Sequence, residues 1–130
     1  MQDISVPISP GELLDKITIL RIKSARMSDA AKLANVRHEL QLLEQTWATA
    51  VPAGVDLSGE ERALEAVNER LWDIEDQIRD EEDAQRFDAR FIELARAVYV
   101  SNDERAAIKK RINTKLGSAL VEEKSYRPYR

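Results

Sequence analysis

Leu64, Val67, Leu71, Ile74 and Ile78 follow one another in steps of three and four. That spacing gathers apolar side chains on one side of an α-helix and would scatter them over both faces of a strand. Leu33, Val36, Leu40, Leu43 and Trp47 repeat the pattern, as do Phe91, Leu94, Ala95, Val98 and Tyr99, with Ala106, Ile112 and Leu116 roughly in phase behind them. A chain patterned this way folds as packed helices. Its 34% charged residues, with four glycines and four prolines in 130 residues, suit long amphipathic helices with few interruptions.

Helix boundaries follow from local chemistry. Ser9-Pro10-Gly11-Glu12 is a capping box with proline at the first helical position, and it opens a helix running to about Met27. Leu13, Ile17 and Leu20 form one apolar row on that helix and Ile19 and Ile22 another, so it belongs at the centre of a bundle. Ser28-Asp29 caps a second helix over 29–48, and Pro52 and Gly54 fall in a loop over 49–57. Ser58-Gly59-Glu60-Glu61 supplies another capping box for a third helix over 59–83. Asp88 caps a fourth over 88–116, stopped by Gly117. Ser101-Asn102-Asp103-Glu104 is a possible cap within that segment, so a continuous helix and a break with a fifth short helix both fit. Residues 117–130 have no helical period and read as a tail, with Tyr126, Arg127, Tyr129 and Arg130 as a docking segment. Short connections make sequential helices antiparallel neighbours. The expectation is one all-α domain over 1–130, an antiparallel four-helix bundle of two helical hairpins, 10–48 and 58–116.

Composition excludes several chemistries. Without cysteine there is no disulfide, thiolate metal site or cysteine nucleophile, and the lone His38 leaves no conventional zinc site. The net charge of −4 argues against nucleic acid. No signal peptide or membrane span is visible, which points to a soluble, cytoplasmic protein. Acidic residues crowd 73–83 and basic ones 105–115, and the expectation is that these segments are neighbours that compensate each other.

The strings Val6-Pro7-Ile8-Ser9-Pro10-Gly11-Glu12-Leu13-Leu14-Asp15-Lys16-Ile17-Thr18-Ile19-Leu20, Val67-Asn68-Glu69-Arg70-Leu71-Trp72-Asp73-Ile74-Glu75-Asp76 and Leu94-Ala95-Arg96-Ala97-Val98-Tyr99 with Asn102-Asp103 carry a resemblance over nearly the whole chain. They resemble a bacterial family of short helical proteins with no assigned function. Its members occur alone or beside glycosyltransferase-like or helical-repeat segments, which implies an envelope-polysaccharide setting. The resemblance brings no catalytic residues with it.

Candidate site residues therefore rest on geometry. Asn68, Trp72, Glu75, Arg79 and Glu82 form a polar shoulder on the third helix, and Ile92, Arg96, Tyr99 and Asp103 do so on the fourth. If the hairpin turns near residue 86, Glu75 is level with Arg96 and Tyr99, Arg79 with Glu93, and Asn68 with Asp103 and Arg105. One reading is a set of ion pairs that fix register. The other is a pocket for a small anionic ligand, phosphate or carboxylate, built from Lys16, Asn68, Glu75, Arg79, Arg96, Tyr99, Asn102 and Asp103. Asp15 and Lys16 lie in an apolar helix, so one of them is expected to be buried and paired. Glu60, Glu61, Glu65, Glu69 and Asp73 look a little like the carboxylate helices of magnesium-dependent nucleotide pyrophosphohydrolases, but the spacing is off by one residue. Asp73, Asp76, Asp80 and Asp83 share a face whose plain reading is a solvated one. No cofactor or metal is expected. The favoured function is a non-enzymatic interaction or accessory module, dimeric or docked on a partner protein, and the alternative is a small-molecule binder or small enzyme.

Overall fold

A computed structural model describes residues 1–129; Arg130 lies outside the described residues. Four helices follow in order, α1 (Pro10–Arg26), α2 (Ala30–Ala50), α3 (Ser58–Asp83) and α4 (Ala89–Lys115). The chain is all-α, as its periodicity requires.

Three of the four starts use the expected caps. Ser9 Oγ accepts the Glu12 amide at 3.2 Å, Asp29 the Lys32 amide at 3.0 Å, and Asp88 the Arg90 amide at 3.1 Å. The box at Ser58 does not form. Asp56 instead accepts the Ser58 amide at 3.0 Å and its hydroxyl at 2.7 Å, which draws Ser58 into the first turn, while Glu61 turns to Arg21 at 2.5 Å. Glu12 also declines the reach-back half of its box and pairs with Lys109 at 2.6 Å. An ion pair across two helices outcompetes a local cap bond when the cation is fixed nearby.

α4 runs unbroken through residues 101–104. Ser101 is buried there, in phase with buried Leu94, Ile108 and Ile112. A break would take that face off the core.

α1 sits at the centre and packs against α2, α3 and α4, while α3 and α4 pack as a hairpin. Its buried residues Leu13, Leu14, Asp15, Ile17, Thr18, Leu20 and Ile22 cover more than one side, as two apolar rows demand. The main core joins Leu14, Leu57, Leu64, Val67, Ile108 and Ile112. Each such side chain contributes about 1.5–3 kcal/mol of transfer free energy. α2 is peripheral: it packs along α1 alone, and Val36 is its one buried residue. Trp47 and Val51, at its far end, pin it to the core cluster.

Both hairpin-side helices end in a left-handed residue. Gln85 (φ 55°) follows α3, where the Arg86 amide reaches Glu81 O at 2.9 Å, and Gly117 (φ 63°) follows α4, where the Ser118 amide reaches Asn113 O at 2.9 Å. These 6→1 bonds satisfy carbonyls that a helix end otherwise leaves open. Among the described residues no helix is long and apolar enough to cross a membrane.

Candidate functional site

Gly11, Glu12, Asp15 and Thr18 form one row on α1 among apolar neighbours. The fold turns that row onto α4 and α3. At Gly11 the two helices touch: a Cβ there would stand 2.5 Å from Lys109 O and 2.9 Å from Asn113 Oδ1, which accepts the Gly11 amide at 2.7 Å. One turn on, Lys109 bonds Glu12 at 2.6 Å and Glu122 at 2.9 Å. Burial alone would lower the Lys109 pKa, but hydrogen bonds to Glu12 and Glu122 outweigh it and the pKa is raised.

The next turn holds Asp15, wholly buried. Arg105 clasps its carboxylate with two nitrogens, Nε at 2.9 Å from Oδ1 and Nη2 on Oδ2. Asn68 Nδ2 donates to Asp15 Oδ1 at 2.9 Å and to Thr18 Oγ1 at 3.0 Å, and Thr18 in turn donates to Asp15 O at 2.8 Å. The hydrogen bond to Asp15 holds the Arg105 guanidinium above its ordinary pKa despite its partial burial. Among the described residues no buried side-chain nitrogen or oxygen lacks a partner. This is a closed network across three helices. Its groups are spent on one another, which holds α1 in register against α3 and α4.

Beside the network lies a groove of about 360 Å³. Ile19 and Ile22 of α1 and Leu71 and Trp72 of α3 line it with buried Asn68, and Glu75, Asp76, Arg79 and Arg105 lie around them. Arg79 is held by Glu75 at 3.1 Å, and Arg26 lies over the Trp72 ring at 5.8 Å while pairing with Asp73 at 2.5 Å.

The fold divides the residues that the sequence nominates. Asn68, Glu75 and Arg79 meet at this groove. Tyr99, Asn102 and Asp103 meet elsewhere, in a cleft of about 320 Å³ closed by Lys124, Tyr126, Arg127 and Tyr129 of the tail. Lys16 is exposed, 4.0 Å from Glu12, and Arg96 is exposed on α4 in neither lining. Of the expected level pairs, Asn68 and Arg105 meet only through Asp15, and the direct bonds across the hairpin join other residues. Arg70 pairs with Glu104 and Arg90 with Gln77 across the hairpin, whereas Arg79 stays with Glu75 and Glu93 with Arg90 on their own helices.

The expected pairing of the two charge clusters is corrected. The basic end of α4 does not neutralise the acidic end of α3: Arg105 and Lys109 serve Asp15 and Glu12, and Lys115 serves Glu60 at 2.6 Å. A hairpin closing near residue 86 sets 73–83 beside the start of α4, far from 105–115. Carboxylates of the magnesium-type row are likewise engaged by cations, Glu60 by Lys115 and Glu61 by Arg21. Among the described residues no three His, Asp or Glu side chains converge to hold a metal.

Asp15 is legible in the sequence as a buried ion, but its partners Arg105, Asn68 and Thr18 are not. The available signal was the three- and four-residue spacing of Gly11, Asp15 and Thr18.

No curated protein and no solved structure matches this chain. A family model does match, over residues 4–129. The chain thus belongs to DUF6165, a family of unknown function.

Proposed function

We propose that the chain is a non-enzymatic interaction module whose α1–α3 groove receives apolar side chains from a basic amphipathic helix of a partner protein. The observation that carries this reading is the groove's chemistry, an apolar lining of Ile19, Ile22, Leu71 and Trp72 with charged residues around it. Anchors seated in such pockets, with polar groups around them, dominate recognition surfaces. Each arginine of the groove already faces a carboxylate, Arg79 on Glu75 and Arg105 on Asp15, so a phosphate or carboxylate ligand gains little there. Asp76, at the groove, and Asp80, one turn along α3, keep exposed carboxylates that favour a cationic partner. The module works as a homodimer or on a separate protein, in the cytoplasm. The family resemblance adds an accessory role beside envelope-polysaccharide enzymes as the setting.

Trp47→Phe leaves Trp72 as the single tryptophan, a reporter at the groove. A helical peptide of leucine and lysine is the probe, with its leucine–glutamate counterpart and inorganic phosphate alongside. The reading requires a saturable change in Trp72 emission with the basic peptide, weakened about tenfold or more by Asp76→Lys. A response to phosphate alone, or none to the basic peptide, overturns it.

A further inference from the structure

Beyond Gly117 the chain reverses, and residues 118–129 run back along α4. Glu122 meets Lys109 at 2.9 Å, Lys124 meets Asp103, and the Tyr129 ring meets Tyr99 at 5.1 Å between centroids. Rising numbers on this strap meet falling numbers on α4, so the two are antiparallel. On its other edge Leu120 and Val121 border Pro7, Ile8 and Glu12. The strap forms no helix or strand, and Leu120 and Val121 stay about half exposed, at 46% and 50%. A cavity of about 610 Å³ separates part of it from α4. Ion pairs, the Tyr129 contacts with Tyr99 and Asp103, and little buried apolar surface hold it there. The Lys124–Asp103 pair is exposed and holds weakly, Glu122 is itself more than half exposed, and the hinge is one left-handed glycine, so little apolar burial resists release of the strap.

We propose that residues 118–129 exchange between two copies of this chain, each strap seating on the α1–α4 surface of the other. The occupant is named by fit: the sequence that complements Lys109, Asp103 and Tyr99 in this structure is the strap itself. The Glu122–Lys109, Lys124–Asp103 and Tyr129–Tyr99 contacts form equally well within one chain or between two. Hinge geometry and concentration then decide which form is populated. The closed form keeps residue 117 at φ 63° as the cap of α4, which glycine adopts without strain, whereas an extended hinge gives up that cap and makes no demand on φ. This surface lies away from the α1–α3 groove, so its test succeeds or fails independently of the function proposed above.

The absence of cysteine allows a direct test. Copies carrying Asp103→Cys are mixed with tagged copies carrying Lys124→Cys and treated with a short bismaleimide. Exchange predicts a covalent heterodimer that appears on mixing and grows with protein concentration. Gly117→Val should raise its yield about tenfold at fixed concentration, the equivalent of roughly one left-handed residue's strain. Deleting residues 118–130 should return the Gly117→Val protein to a monomer in sedimentation, with its helical circular dichroism retained. If Gly117→Val alters helicity, Gly117→Ala makes the same comparison. No cross-link between mixed chains, or a dimer that survives deletion of the strap, overturns the proposal.

Discussion

Replacing Gly11 by alanine adds one methyl group where α1 and α4 touch, and the sign of its effect is decided by opposing terms. In its favour, alanine is a better helix former than glycine by at most about 1 kcal/mol, less in a first turn. Against it, the new Cβ would lie 2.5 Å from Lys109 O, a main-chain carbonyl inside a continuous helix that cannot swing aside. The helices must separate, and overpacking of this kind costs about 1–3 kcal/mol. The Gly11–Asn113 hydrogen bond of 2.7 Å is strained by the same movement, a further loss of about 1 kcal/mol. The net expectation is destabilisation of about 2 kcal/mol, read by urea unfolding followed at 222 nm as a midpoint lower by on the order of 1 M. Gly59→Ala is the control. Nothing stands within 4 Å of its Cβ position and its φ is ordinary, so that variant should be neutral or slightly stabilised. A Gly11→Ala protein as stable as the parent would refute the close approach of α1 to α4, and with it the packing of the whole polar row.

Two further outcomes follow from the same structure. The strap should leave α4 in acid. Lys124 holds the Asp103 carboxyl below its ordinary 3.8, and Lys109 holds that of Glu122 below 4.5. Both contributions are complete above those values and vanish as pH falls through the lowered ones, so amide signals of residues 118–129 should move to random-coil positions as pH is taken below 3.8, before the helices melt; strap signals unchanged through that descent would contradict it. α2, with one buried residue and one helical neighbour, should exchange its amide hydrogens about tenfold or more faster than α1, and equal protection in the two helices would show that α2 has a further contact.

Local chemistry carried much of this fold into the sequence. Ser9, Asp29 and Asp88 cap where their side chains and the following periodicity say they should, and two apolar rows on α1 place it at the centre. α2 shows the limit of that reasoning. Leu33, Val36, Leu40, Leu43 and Trp47 form a seam wide enough for a bundle, yet a seam does not say how many neighbours it meets. The acidic and basic clusters show another limit, since charge complementarity is no evidence of proximity when hairpin geometry sets the segments apart.

The candidate site was legible only within single helices. Asn68, Glu75 and Arg79 share one face of α3 by spacing alone, and the groove contains all three. Arg96 lies on α4, whose rotation about its own axis is fixed by packing rather than by any residue near it. The Asp15 network joins positions 53 and 90 residues apart, and Glu12 meets Lys109 across 97. One sequence holds no record of such pairings, although the polar row of α1 announces that partners exist.

That row acts as a lock between helices, and a double-mutant cycle on Asp15→Asn and Arg105→Met tests it most directly. Arg105→Met leaves a wholly buried carboxylate without its cation and should cost about 3–5 kcal/mol in urea unfolding. Asp15→Asn should cost less, because the Arg105 side chain is 29% exposed and can turn to water. Together the changes should cost less than their sum by about 2 kcal/mol or more; effects additive within about 0.5 kcal/mol would mean that Asp15 and Arg105 do not hold the helices together.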